Sequence, residues 1–150
     1  MDLHVRNYIL YKARTLKEQQ KKLERLKALQ KEIEKDIIDE SPAAMDGMPR
    51  GKGGTSDPVA SKVIRLEKVQ TRISNIEKEL AAFKRAEDKI KLTGNLSWRI
   101  YNDTIKDQIN LEYKALELYM SPRSLYNYRT KLMEMIAEEL GEYIDGEDEE

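Results

Sequence analysis

The sequence predicts an all-α protein, a long coiled-coil helical hairpin followed by a small helix-turn-helix domain. Three observations predict it. Apolar residues recur at helical spacing through two long segments, Gly and Pro gather between those segments, and the single Trp and most of the Tyr residues gather after them. With 37% charged and 39% hydrophobic residues among 150, exposed helices fit the composition better than a thick core.

The first segment, residues 1–39, has no Gly or Pro. Ile9, Leu16, Leu23 and Ile37 fall on one seven-residue row, and Leu26 and Ile33 on the interleaved row, which is a heptad seam. Lys12, Gln19 and Gln30 also fall on it; polar seam residues lower stability and fix register or partner choice. The surface is basic, with ten Lys or Arg against seven Asp or Glu. Residues 40–56 hold Pro42, Gly47, Pro49, Gly51, Gly53 and Gly54 and read as a flexible linker.

A second helix is expected over residues 57–92, with Asp57 as N-cap and Pro58 at its first position. Its seam has Val59, Leu66, Ile73 and Leu80 on one row, and Val69, Ile76, Phe83 and Ile90 on the other. At 1.5 Å per residue this is a rod about 50 Å long, which must bury its seam against something. An antiparallel hairpin with the first helix, which the linker is long enough to permit, is the preferred pairing. Pairing with a second copy of the chain also satisfies the heptads, and the two coexist in a four-helix dimer. The interface residues expected are Leu16, Leu23, Leu26, Ile33, Leu66, Ile73, Ile76, Leu80 and Phe83.

Gly94 is the expected C-cap of the rod and Asn95 the expected N-cap of the next helix. Residues 95–141 form the third block, with helices expected from about Leu96 to Asp107, Asn110 to Leu118 and Pro122 to Leu140. Six acids and no base follow in residues 142–150, read as an acidic disordered tail. The net charge of −1 therefore divides into a body of +5, with 27 Lys or Arg against 22 Asp or Glu, and that tail. A basic body can approach a polyanion, although such a terminal run is also what any solvated chain end carries.

Composition excludes several chemistries. With no Cys there is no disulfide, iron–sulfur cluster, thiolate zinc site or cysteine nucleophile. His4 is the single histidine, and the acids are spread along helix faces without a pairing that points to acid–base catalysis. The glycine-rich run GMPRGKGGTS aligns with no phosphate-loop motif, and no hydrophobic strand precedes it. No enzyme, metal or cofactor is expected. No apolar run is long enough for a membrane span, and the start lacks a secretory pattern, so a soluble intracellular protein is expected.

The informative stretch is EYKALELYMSPRSLYNYRTKLMEMIAEELG, Glu112–Gly141. A short helix, a turn at Tyr119-Met120, a capping Ser121 and Pro122 at the next helix start give the layout of a helix-turn-helix. Leu125, Tyr128, Leu132 and Ile136 make its inward stripe. The other side presents Arg123, Asn127 and Thr130, flanked by Ser124, Tyr126 and Lys131. Arg forks onto guanine and Asn onto adenine, while Ser, Thr and Lys hold phosphates. Any capped surface helix has a polar side, however, and residues 95–141 carry six Lys or Arg against seven Asp or Glu. Trp98 and Tyr101 are expected in the core of this block rather than stacked on bases.

The run YMSPRSLYNYR, followed by an apolar helix ending in AEELG, resembles the C-terminal helix-turn-helix of phage and prophage transcriptional regulators of the RinA and ArpU type. That domain is similar to the promoter-reading region of bacterial sigma factors. The resemblance covers roughly Leu96–Gly141, and the rest only by architecture. It places Ser121 at the family's capping serine and Arg123, Ser124, Tyr126 and Asn127 at its DNA-facing positions. Tyr119 stands where such turns carry Gly, and Lys114 where an apolar residue is usual. The resemblance implies control of phage late genes in a bacterial cytoplasm, on double-stranded DNA and with a contact to host RNA polymerase; the apolar seams and the weak affinity of a single small module lead to the expectation of a homodimer or higher homo-oligomer. A small terminase subunit for DNA packaging and a coiled-coil adaptor that binds no DNA are the other classes compatible with this layout.

Overall fold

A computed structural model describes residues 1–39 and 58–148, and among these it is all-α, with no strand. The expected linker, Asp57 and the last two residues of the tail lie outside the described residues. The described residues form six α-helices: α1 (Leu3–Arg14), α2 (Leu16–Asp39), α3 (Pro58–Thr93), α4 (Asn95–Ile100), α5 (Leu111–Glu117) and α6 (Pro122–Asp148). A π-helical segment, Tyr101–Lys106, continues from α4. None of the described helices is long and apolar enough to cross a membrane.

The chain divides into two compact units, Met1–Glu18 with Lys78–Glu150, and Gln19–Glu77. The second is the helical hairpin, in which α2 and the first part of α3 bury Leu26, Ile33, Val69 and Ile73. Leu23, Leu29, Ile37, Leu66 and Ile76 pack around them, and Lys27 Nζ pairs with Glu77 Oε1 at 3.1 Å. The two seams therefore meet within one chain.

The first unit corrects the expected boundaries. The first segment is not one coiled-coil helix: it breaks at Thr15, whose hydroxyl donates to the Tyr11 carbonyl at 2.8 Å, an i−4 bond of the kind that bends helices. α1 belongs to the globular unit, and so does the end of α3. Phe83, expected in the coiled-coil interface, lies in the globular core, and Leu16 packs against that core. Leu80 is half-buried. Heptad spacing reports which face of a helix is apolar, and the same face serves a facing helix or a small globule.

That core brings Ile9 and Ala13 of α1, Phe83, Ala86 and Ile90 of α3, Ile100, Tyr101, Ile105 and Ala115 together with Leu125, Met133, Ile136 and Leu140 of α6. Tyr101 is fully buried as expected, with its ring stacked on Trp98 at 5.3 Å. Its hydroxyl donates to Glu87 Oε2 at 2.8 Å, and burial followed by that carboxylate pushes its pKa far up. Tyr8 donates to Glu79, which also takes Lys12 Nζ at 3.0 Å, so α1 is pinned to α3 by polar groups at the core edge.

Three local expectations also change. Gly94 ends α3 as expected, its N–H donating to the Lys91 carbonyl at 3.2 Å, and at φ +131° it is also the N-cap of α4, so Asn95 is the first helical residue instead of the cap. That backbone region is nearly closed to residues with a Cβ. Beyond Ile100 the expected α-helix becomes π, with Asp107 N–H donating to the carbonyl of Asn102, five residues back, at 2.9 Å. Finally, α6 runs to Asp148 rather than stopping near Leu140, and Ile144 is buried in the core. The acidic stretch 142–150 is thus helical through Asp148, because Leu140, Tyr143 and Ile144 continue the apolar stripe into it.

Candidate nucleic-acid interface

The helix-turn-helix layout expected from Ser121-Pro122 is present as α5, a turn at Leu118–Ser121, and α6. α5 starts with an Asn110 cap, whose Oδ1 accepts from the amides of Glu112 at 2.9 Å and Tyr113 at 3.1 Å. In the turn Tyr119 sits at φ +56° with its side chain 98% exposed. The backbone therefore takes the left-handed angle that Gly usually serves, with Tyr in its place. The Ser121 cap is formed: its Oγ accepts from Ser124 N–H at 3.1 Å and lies 2.8 Å from Ser124 Oγ.

Lys114 also finds its reason. It is 4% exposed, and its ammonium pairs with Asp103 at 2.5 Å and Glu117 at 3.3 Å. Arg99 reaches the same two acids, at 2.7 Å to Glu117 and 3.9 Å to Asp103. Two cations and two anions thus alternate between α4, the π segment and α5. The hydrogen bond to Asp103 holds the Lys114 ammonium above the ordinary lysine pKa despite burial. Lys114 thus holds α5 against the π segment through a buried charge.

Along α6 the inward stripe is Leu125, Leu132, Met133, Ile136, Leu140 and Ile144, all buried. Tyr128, also expected on it, is half-buried, and its hydroxyl hydrogen-bonds Ser97 at 2.6 Å. Ser121, Arg123, Ser124, Tyr126, Asn127 and Lys131 are exposed. Thr130 is half-buried, and its hydroxyl donates to the Tyr126 carbonyl at 3.0 Å, so it is committed to its own helix. At 100° per residue Asn127 is central on the outer face, with Arg123 and Lys131 at its sides. An open cleft of about 460 Å³ runs along one flank, lined by Ser124, Asn127, Lys131 and Met135 of α6 and by Thr93 and Ser97.

Charge on this helix is segregated. Residues 122–133 contain Arg123, Arg129 and Lys131 and no acid, whereas residues 134–148 contain seven acids and no base. The helix dipole favours the opposite arrangement. Glu139 in the acidic half is paired with Lys89 and, at 3.3 Å, with Arg85, and those hydrogen bonds, Lys89's first, hold its carboxyl below the ordinary value. The three cations have no ion pair among the described residues, while Arg99 and Lys114, basic residues of the same block, are fully used. Net charge over residues 95–141 conceals this, because it counts paired and unpaired cations alike.

On the opposite flank from the cleft, Arg6 of α1 lies 5.2 Å over the Tyr126 ring. Sequence reasoning missed Arg6 because it is more than a hundred positions away, and it missed Arg129 because that residue falls on the inward side of the helical projection. Among the described residues no group of three His, Asp or Glu is placed to hold a metal ion. No protein-family model, curated protein or solved structure matches the chain.

Proposed function

We propose that this chain is a phage-encoded transcriptional regulator that binds double-stranded DNA through α5 and α6, reading promoter-region sequence with Arg123 and Asn127. The observation that carries the reading is the acid-free first half of α6, where the exposed Arg123 and Lys131 have no ion pair among the described residues and Arg123 stands in the first turn, the end at which the helix dipole disfavours a cation. A cation retained against that cost, with a second exposed one two turns on, fits a polyanion, and an exposed Arg and Asn one turn apart fit base edges in a major groove. The capped N-terminus adds amides and the positive dipole end toward phosphate. Assignment to the RinA and ArpU type, action on late genes in a bacterial cytoplasm and contact with host RNA polymerase rest on the resemblance of YMSPRSLYNYR. A small module gains affinity by pairing, so the working form is a homodimer or higher homo-oligomer.

Selection from random duplex DNA, with wild type and with Arg123→Ala plus Asn127→Ala, tests the reading. Wild type enriches one site, and the double variant loses that preference while keeping weak salt-sensitive binding. Enrichment of the same site with equal strength by both overturns the assigned face, and absence of wild-type binding at low salt overturns the DNA reading. Sedimentation showing only monomer at micromolar concentration removes the oligomer.

A further inference from the structure

Arg6 and Arg129 stand on two helices that pack together, α1 and α6. The Nε of each is sealed from solvent and donates to no acceptor. No ion pair reaches either guanidinium among the described residues. Burial holds the Arg129 guanidinium below its ordinary pKa, and the positive charge of Arg6 adds to the depression. Two like charges, partly desolvated and with unsatisfied donors, are a costly arrangement. Apolar residues of similar volume would fill the same space without that cost. Each side chain as a whole keeps part of its surface in solvent, so an anion held by the outer nitrogens of both cancels the repulsion.

The chemistry of that anion is set by its surroundings. Guanidinium forks match the oxygens of a phosphate or carboxylate. Arg6 is braced on Tyr126, the residue before Asn127 and on the flank away from the cleft, and residues 122–133 contain no Asp or Glu. A phosphate lying beside a groove in which Arg123 and Asn127 sit meets these conditions. We propose that Arg6 and Arg129 form a seat for one phosphate group of the nucleic-acid backbone, which makes α1 part of the DNA-binding surface. The identity of the occupant rests on the DNA reading above; the existence of the seat does not.

Two measurements on the full chain separate them. The first is thermal unfolding in inorganic phosphate against chloride at equal ionic strength. Phosphate raises the unfolding temperature of wild type, and Arg6→Gln with Arg129→Gln loses that rise while unfolding in chloride no earlier than wild type, since the variant has shed a repulsive pair. The second is duplex binding across a salt series. The same variant loses about 0.9 from the slope of log affinity against log salt and keeps the preferred site. An equal phosphate-dependent rise in both proteins overturns the seat even where DNA binding persists. A rise unique to wild type without duplex binding at low salt leaves the seat standing and overturns its DNA occupant. Where the Gln variant does not fold, Arg6→Lys with Arg129→Lys keeps both charges without the forks, and a full phosphate-dependent rise in that variant overturns the guanidinium seat.

Discussion

The hairpin and the globular unit draw on the same kind of apolar stripe and bury it to different depths. In the hairpin, Leu26, Val69 and Ile73 keep 9%, 5% and 7% of their surface in contact with solvent. In the globular unit Ile9, Ile90, Ile105 and Ile136 keep none. Two helices can cover one another on one side only, whereas α1, α3, α4, α5, α6 and the π segment enclose their shared core from several sides. A heptad seam therefore fixes which residues are apolar, and the number of surrounding elements fixes how much each is worth.

Identical deletions in the two units put this to the test with the largest effect expected anywhere in the chain. Ile136→Ala removes atoms from a site closed on all sides and is expected to cost about 4–5 kcal/mol, while Ile73→Ala in the hairpin is expected to cost about 2 kcal/mol. Urea denaturation gives the two values. Hydrogen exchange locates them, with lost protection confined to 19–77 for the hairpin variant. Equal costs would break the contrast and show that the hairpin is sealed by a further partner, such as a second copy of the chain.

How much of this was legible in the sequence depends on the range of the contact. The cap at Ser121 and the apolar stripe of α6 were readable because each is decided within one or two turns. The extension of α6 through Tyr143 and Ile144 was hidden by the acids around it, which composition reads as disorder although the stripe continues beneath them. The transfer of Phe83 from hairpin to globule could not be read, since it depends on where α1, α5 and α6 are placed by long-range packing. For the candidate interface, Arg123 and Asn127 were legible as outward residues of a capped helix. Arg6 was not, because only the packing of α1 on α6 brings it to Tyr126.

Lys114 sharpens the contrast from the polar side, since the globular unit is closed enough to bury an ammonium and the hairpin is not. Lys114→Met leaves Asp103 with Arg99 alone, at 3.9 Å, and is expected to cost roughly 1–3 kcal/mol. The pKa of Lys114 is raised in the folded state, first by the hydrogen bond to Asp103. Its contribution is therefore fully present below the ordinary lysine value of 10.5 and is lost as pH rises through the elevated folded value. Stability curves of wild type and variant should stay apart at neutral pH and converge only above 10.5. Convergence near pH 8 would show that the ammonium is not held by this network.

The smallest expected effect lies at Tyr119, where the globular unit is locally not closed at all. A non-glycine residue at φ +56° carries about 1 kcal/mol of backbone strain, and a side chain 98% exposed recovers none of it by packing. Tyr119→Gly is accordingly expected to stabilise the free protein by about 0.5–1 kcal/mol, the relief of strain exceeding the added freedom of the unfolded chain. Tyr119 stands in the turn two residues before the Ser121 cap of α6. If it is there for DNA, the stabilised variant binds duplex DNA more weakly, so that stability and affinity move in opposite directions. Thermal unfolding and a duplex titration on the same preparation decide it: a gain in stability with unchanged affinity confines Tyr119 to the turn, and a loss of stability means the ring packs against a surface that leaves it far less exposed than 98%.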